Sequence, residues 1–313
     1  MAAPVPTYHG IPAVGLGCWM GHVGGAEEAY TMVREALKLG YRHIDTAFGY
    51  GNEEAVGRAI RDSGIPRSEL FVTTKLTNGH HHRVVEGFEN SIKNLGIGYV
   101  DLYLMHWPCA ADDEGKDLTK ADGRDFVQVW KEMEQLLQTH AGQVKHIGIS
   151  NFSIQNLEVL LPQCSVTPFA NQVEVNPYHP QIPLKAYCES KGIQIIAYGP
   201  LGQTRRTFLK DPEVIAVAKK YDISPAQVCI SWSVQRGTIP IPKSSNPERL
   251  KQNITLTTLA EEDFQKIENL HKQPGKHRSS DMMTLMVPGS VWGWTMEEMG
   301  WHVNHDGTIA DDQ

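Results

Sequence analysis

Asp45, Tyr50, Lys75 and His106 stand where apolar runs of this 313-residue chain give way to turns. The stretch HIDTAFGYGNE, residues 43–53, sets Asp45 and Tyr50 five positions apart in a glycine-rich turn that a few small residues could have made. Lys75 lies in TTKL and His106 in VDLYLMHW, so a lysine and a histidine both terminate strongly apolar segments. Taken singly, each residue has a structural explanation: an aspartate caps a helix, a lysine is a solvated end, a histidine bonds to backbone. The set resists that explanation, because unpaired charge is costly to bury. Gathered in one place, these side chains can donate a proton and stabilise developing charge. A different chemistry is open at His80, His81 and His82, whose His-x-His spacing after the third run suits a metal-dependent barrel hydrolase. No ligand set completes itself around them, which leaves a solvated loop as the simpler reading.

The elements that must position these residues are legible as an alternation. VGLGCW, HIDTA, LFVTTKL, VDLYLMHW, HIGIS, FANQVEV, IQIIAYG and TIPIPKS are short β-rich runs. Between the first two, Ala29, Met32, Val33, Ala36 and Leu37 make one apolar helix stripe that stops at Gly40. Ala55, Val56, Ala59 and Ile60 repeat it before Gly64, and Phe126, Val129, Trp130, Met133, Leu136 and Leu137 repeat it before Gly142. About eight parallel strand–helix units close a (β/α)₈ TIM barrel, whereas an open doubly wound sheet usually has fewer strands. No proline- or serine-rich linker divides the chain, so residues 1–313 are expected to form a single α/β domain. Chemistry in such a barrel sits at the carboxyl ends of the strands, and there stand Asp45, Lys75, His106, Ser150 with Asn151, Gln172, Tyr198 and Lys243. WPCAADDEGKDLTKADGRDF and residues 273–313 fall outside the repeat.

With 29 Lys+Arg against 36 Asp+Glu, the net charge of −7 argues against nucleic acid or an anionic membrane as main partner. No segment approaches the ~18 apolar residues of a membrane span, and the opening MAAPVPTYHG lacks the charged and apolar regions of a leader. Cys18, Cys109, Cys164, Cys188 and Cys229 are odd in number, scattered and without a Cys-x-x-Cys, which suits reduced thiols. A cytoplasmic monomer is the expectation. GLGCWMG superficially matches the dinucleotide fingerprint, but its last glycine is one position late and no helix opens there.

HIDTAFGYGNE, TTKL, VDLYLMHWP, GISNF, NQVEVNPY and IPIPKSSNPERLKQN, in this order and spacing, resemble the successive signatures of the aldo-keto reductase family. The chain looks most similar to fungal and plant aldehyde, aldose or polyol reductases. That resemblance covers nearly the whole chain and implies a (β/α)₈ barrel whose amino-terminal end is closed by a β-hairpin, with PTYHGIPAV at the hairpin position. It implies that Asp45, Tyr50, Lys75 and His106 are the catalytic tetrad for NADPH-dependent reduction of a small carbonyl substrate to an alcohol. Chemistry supports each role. A phenol of pKa ~10 is a weak acid near neutrality, and the Lys75 cation lowers that pKa. Asp45 keeps Lys75 charged, and His106 orients the substrate carbonyl.

The resemblance also places a cofactor, since no side chain supplies a hydride. Ser150, Asn151 and Gln172 match the residues that hold the nicotinamide amide, and Tyr198 the aromatic that stacks on the ring, with Pro200 and Leu201 following. Lys243, Ser244 and Arg249 match the grip on a 2′-phosphate, and Gln252 and Asn253 the adenine contacts. Gln252 stands where many relatives carry glutamate, which leaves NADH use open. Trp19 and Trp107 match aromatic walls of the substrate site. Thr77 replaces an aromatic common in relatives, and GPLGQTRRTFLKDP is a shortened version of the loop that folds over the cofactor, both pointing to a wider pocket and faster exchange. The tail, with Met282, Met283, Leu285, Met286, Trp292 and Trp294, is expected to be a lid over the pocket; its alternative is packing on the barrel's outside. Barrels of this family also serve as lens structural proteins and channel-associated subunits, a catalytically silent role that the intact tetrad argues against.

Overall fold

A computed structural model of the chain describes residues 5–203, 207–279, 290–304 and 306–309. The chain opens with a hairpin of β1 (Thr7–Tyr8) and β2 (Ile11–Pro12), in which Tyr8 faces Ile11. Its turn residues His9 and Gly10 both take the left-handed conformation, at φ 50° and 82°, that tight hairpins require. The eight β-rich runs all become strands of one sheet: β3 (Leu16–Gly17), β4 (His43–Asp45), β5 (Phe71–Leu76), β6 (Val100–Met105), β7 (Val144–Ser150), β8 (Ala170–Glu174), β9 (Gln194–Tyr198) and β10 (Ile239–Pro240). Each is parallel to its neighbour in chain order. The sheet closes on itself where Gly15 N donates to Pro240 O at 3.0 Å and Gly17 N to Pro242 O at 3.2 Å. A side chain at Gly17 would place its Cβ 2.8 Å from Ile241 O, so this seam needs glycine.

The connecting helices follow the apolar stripes. They are α1 (Ala26–Lys38), α2 (Glu53–Ser63), α3 (Val84–Leu95), α4 (Phe126–Thr139), α5 (Ile154–Leu160) and α6 (Ile182–Ser190); α7 (Pro212–Tyr221) and α8 (Pro225–Gln235) both lie between β9 and β10. After β10 come α9 (Pro247–Asn253) and α10 (Glu261–Glu268). Gly64 ends α2 in the left-handed conformation at φ 71°, as the sequence predicts. α4 stops earlier than Gly142: His140 is its carboxyl cap, and Gln143 N turns back to His140 O to feed β7.

Alternation along the strands sorts side chains between two cores. Leu102 and Leu104 point into the barrel with Phe71, Ala170, Ile196 and Ile239, where Ile11 of the hairpin joins them and plugs the lower end. Tyr103 and Met105 point outward to the helices. The inward parity then dictates the rim. Counting by twos, Phe71 leads to Lys75, Leu104 to His106, Ala170 to Gln172, Ile196 to Tyr198 and Ile241 to Lys243. The same side chains that the sequence marks as chemically unusual are thus the next inward positions above a packed interior.

Candidate active site

β4 and β5 bring Asp45 and Lys75 together inside the rim, both essentially without solvent exposure. Lys75 Nζ donates to Asp45 Oδ1 at 2.5 Å, to Thr46 O at 2.8 Å and to the Tyr50 hydroxyl at 3.5 Å, which accounts for all three ammonium hydrogens. The other carboxylate oxygen, Oδ2, accepts from Gln172 Nε2 at 2.6 Å. Burial alone would lower the Lys75 pKa, but the Asp45 carboxylate and then Tyr50 outweigh it and hold the ammonium above its usual value.

Tyr50 is delivered by a one-turn 3₁₀ helix, Phe48–Tyr50, that ends at left-handed Gly51. The turn is pinned from both sides: Gly24 N donates to Tyr50 O at 2.8 Å, Thr46 Oγ1 to Asn52 Oδ1 at 2.9 Å, and Asn52 Nδ2 to Cys18 O at 2.9 Å. The phenol ring lies 5.1 Å from the Trp19 ring and 5.6 Å, edge-on, from the His106 ring. Its pKa departs from the expectation that Lys75 would bring it down. Lys75 does pull it down, by charge and by hydrogen bond, but burial disfavours phenolate more strongly and the net pKa is raised. His106 is driven the other way: burial, then the Lys75 charge, depress its pKa well below 6.5, so the imidazole is neutral.

The residues expected at the nicotinamide form a connected arc on the next three strands. Ser150 Oγ donates to Gln172 O at 2.8 Å, Asn151 Nδ2 donates to His106 O at 3.0 Å and to Ser150 Oγ at 3.1 Å, and the Tyr198 hydroxyl donates to Asn151 Oδ1 at 2.9 Å. Asn151 holds a left-handed φ of 64°, a conformation asparagine tolerates better than most residues. Gln172 spends its amide N–H on Asp45 and keeps a carbonyl oxygen suited to a carboxamide donor. The donor set therefore fits a nicotinamide. Pro200 is buried and Leu201 half-buried just beyond Tyr198, while residues 204–206 of the shortened loop lie outside the described residues.

After β10 the chain reaches Lys243, Ser244 and α9. Asn246 caps α9 by accepting from Arg249 N at 3.0 Å, and Ser244 Oγ accepts from Asn246 N at 3.2 Å. Arg249 is exposed, Gln252 half-buried and Asn253 buried with its Nδ2 lacking a partner. The three groups occupy consecutive arcs of one rim, β4 to β6 for the tetrad, β7 to β9 for the amides and β10 for the cationic turn.

The tail contributes Trp301 and Val303, which the sequence does not flag, beside Trp292 and Trp294, which it does. Trp301 and Val303 face Asn151 and Tyr198 across a small cavity, and Trp292 lies 6.2 Å from the Trp107 ring. Trp294 is buried against Phe126, and Asn156 Nδ2 donates to Met299 O at 3.1 Å, so the tail also enters the outer core. Gly300, left-handed at φ 71°, sits so close to α5 that a Cβ there would meet Ser153 Oγ at 2.2 Å. Met282, Met283, Leu285 and Met286 lie outside the described residues. The three histidines diverge: His80 packs on Phe48 at 4.7 Å, His81 is fully buried, and His82 pairs with Asp113 at 2.9 Å. Among the described residues no His, Cys, Asp and Glu side chains gather as a metal site.

Comparison with known proteins is consistent with this geometry. The sequence model of the aldo/keto reductase family matches residues 13–272. The chain is 47% identical over 285 residues to glycerol 2-dehydrogenase (NADP(+)) of Saccharomyces cerevisiae, covering 86% of this chain and 90% of that one. It is 41% identical over 267 residues to D-galacturonate reductase of Hypocrea jecorina, covering 81% and 85%. Among solved structures, an aldo-keto reductase of Bombyx mori in complex with NADP superposes with a TM-score of 0.76 at 38% identity, covering 83% of this chain and 89% of that one. The chain belongs to the aldo/keto reductase family.

Proposed function

We propose that Tyr50 is the proton donor in the NADPH-dependent carbonyl reduction carried out by this enzyme, with Lys75 and Asp45 tuning it and His106 placing the substrate oxygen. The carrying observation is the Lys75 ammonium, whose three hydrogens go to Asp45, to a backbone carbonyl and to the Tyr50 hydroxyl. The phenol's raised pKa keeps its proton in place until a developing alkoxide takes it, and the adjacent ammonium then stabilises the phenolate left behind. A neutral His106 can offer an N–H to the same oxygen without competing as an acid. Bound NADPH supplies the hydride. Ser150, Asn151, Gln172 and Tyr198 would hold its nicotinamide end, with Pro200 and Leu201 alongside, and Lys243, Ser244, Arg249, Gln252 and Asn253 its adenosine end.

Residues 273–313 act as a lid within the single domain, and Trp19, Trp107 and Trp292 wall the substrate pocket. The expected result of Trp292→Ala is a KM raised about two- to tenfold with NADPH affinity unchanged, the scale of one lost aromatic contact. Steady-state kinetics checks it, and unchanged KM for every substrate would place the tail outside the pocket. For substrate, short hydroxylated aldehydes and ketones, including sugars and sugar acids, are favoured by the relatives named glycerol 2-dehydrogenase and D-galacturonate reductase. A monomer in a reducing compartment is the accompanying reading, and the five free cysteines support its second half, the reducing compartment. The deciding experiment is NADPH consumption across aliphatic, aromatic and sugar aldehydes, sugar acids and ketones. Absence of turnover with all of them would overturn the reading.

A further inference from the structure

We propose that Glu28 sets the cofactor preference of this enzyme by competing with the 2′-phosphate of NADPH for Lys243. Glu28 lies in the first turn of α1, far in sequence from the turn after β10, yet both Lys243 and Ser245 reach it. Lys243 Nζ is 3.7 Å from Glu28 Oε1, and Ser245 Oγ donates to the same oxygen at 3.0 Å. One carboxylate therefore engages Lys243, the cation read as part of the phosphate grip, and also the hydroxyl of Ser245, the residue after the grip's Ser244; the inference rests on that reading. Its bland explanation is that an acidic first turn complements the amino end of α1, which Gly25 leaves without a side-chain cap. Glu27 serves that end equally well while pairing with Arg58, so the dipole alone does not explain why Glu28 turns to Lys243.

The chemistry of the exchange is asymmetric between cofactors. Glu28 and Lys243 keep 52% and 33% of their side-chain surface exposed, so their pair is weak and can open when a better anion arrives. A phosphomonoester of about −1.5 to −2 charge is that anion. It must displace the carboxylate and then remain beside it, which costs NADPH affinity and hastens its release. NADH carries no 2′-phosphate and meets no such competitor.

The test is a set of fluorescence-titration affinities for NADPH and NADH at fixed ionic strength, on wild type, Glu28→Gln, Lys243→Met and the double variant. Glu28→Gln should bind NADPH about tenfold tighter, from a lost competitor and a lost like-charge contact, and NADH within about twofold of wild type. Lys243→Met should weaken NADPH selectively, and Glu28→Gln should gain less on that background. If Lys243→Met weakens NADPH selectively but Glu28→Gln moves neither cofactor, or moves both in parallel, Glu28 does not set preference. If Lys243→Met fails to separate the two cofactors, the phosphate is not held there and the inference falls with that placement. A shift in the melting midpoint of cofactor-free Glu28→Gln, without a shift in the affinity ratio, would restore the role of a helix-end carboxylate.

Discussion

Tyr50→Phe reduces aldehydes with a kcat about 10²–10⁴-fold below wild type while binding NADPH as tightly, because positioned acid catalysis contributes on that scale. The substitution keeps the ring that packs 5.1 Å from Trp19 and 5.6 Å from His106, and removes only the hydroxyl that Lys75 touches. Nothing else in the rim supplies the missing proton readily. His106 is held neutral by burial and by the Lys75 charge, and Lys75 has a raised pKa that makes it a poor acid. Steady-state kinetics and cofactor titration on the same preparations check the result. A variant retaining more than about a tenth of wild-type kcat would remove Tyr50 from the mechanism.

Lys75→Met costs both activity and fold. Asp45 would be left buried, at 1% exposure, with Gln172 Nε2 still bonded to one oxygen but no cation at the other. Removing one partner of a buried ion pair destabilises by about 3–5 kcal/mol, whereas replacing both can be near neutral. The double variant Asp45→Asn/Lys75→Met should therefore recover most of the stability lost by Lys75→Met and none of the activity. Denaturant midpoints at neutral pH check the first half, and turnover the second. The pH dependence has a definite sign. Lys75 has a folded pKa above its unfolded value of ~10.4, so its stabilising contribution is complete below ~10.4 and is lost as pH rises through the folded pKa. The wild-type margin over the double variant shrinks in that alkaline window.

Much of the site was legible because strand parity and burial cost are local. A lysine at the inward end of an apolar strand demands a counterion, and the aspartate at the inward end of the neighbouring strand is the obvious one. Glycine stops and apolar stripes located α1 and α2 closely, while α4 ended before Gly142 because the chain needed that turn to enter β7. What the sequence hid depends on register across the closed barrel. The Gln172 bond to Asp45 joins β8 to β4 through the interior, and neither residue's neighbours announce it. The sign of the Tyr50 shift was equally hidden, because it is a balance between one cation and the surrounding burial. Trp301 and Met299 come from a tail with no period, so only their final docking against Ser153, Asn156 and the rim reveals them. Glu28 looks like an ordinary acidic helix start until α1 is set beside the turn after β10.

The proton donor is identified most directly by the pH dependence of kcat/KM for aldehyde reduction in wild type and Tyr50→Phe. A phenol that must be protonated makes the wild-type value fall about tenfold per pH unit above a single apparent pKa. With the hydroxyl gone, the residual rate of Tyr50→Phe should run flat through the same range. The same falling limb, surviving at the same pKa in Tyr50→Phe, would show that another group delivers the proton.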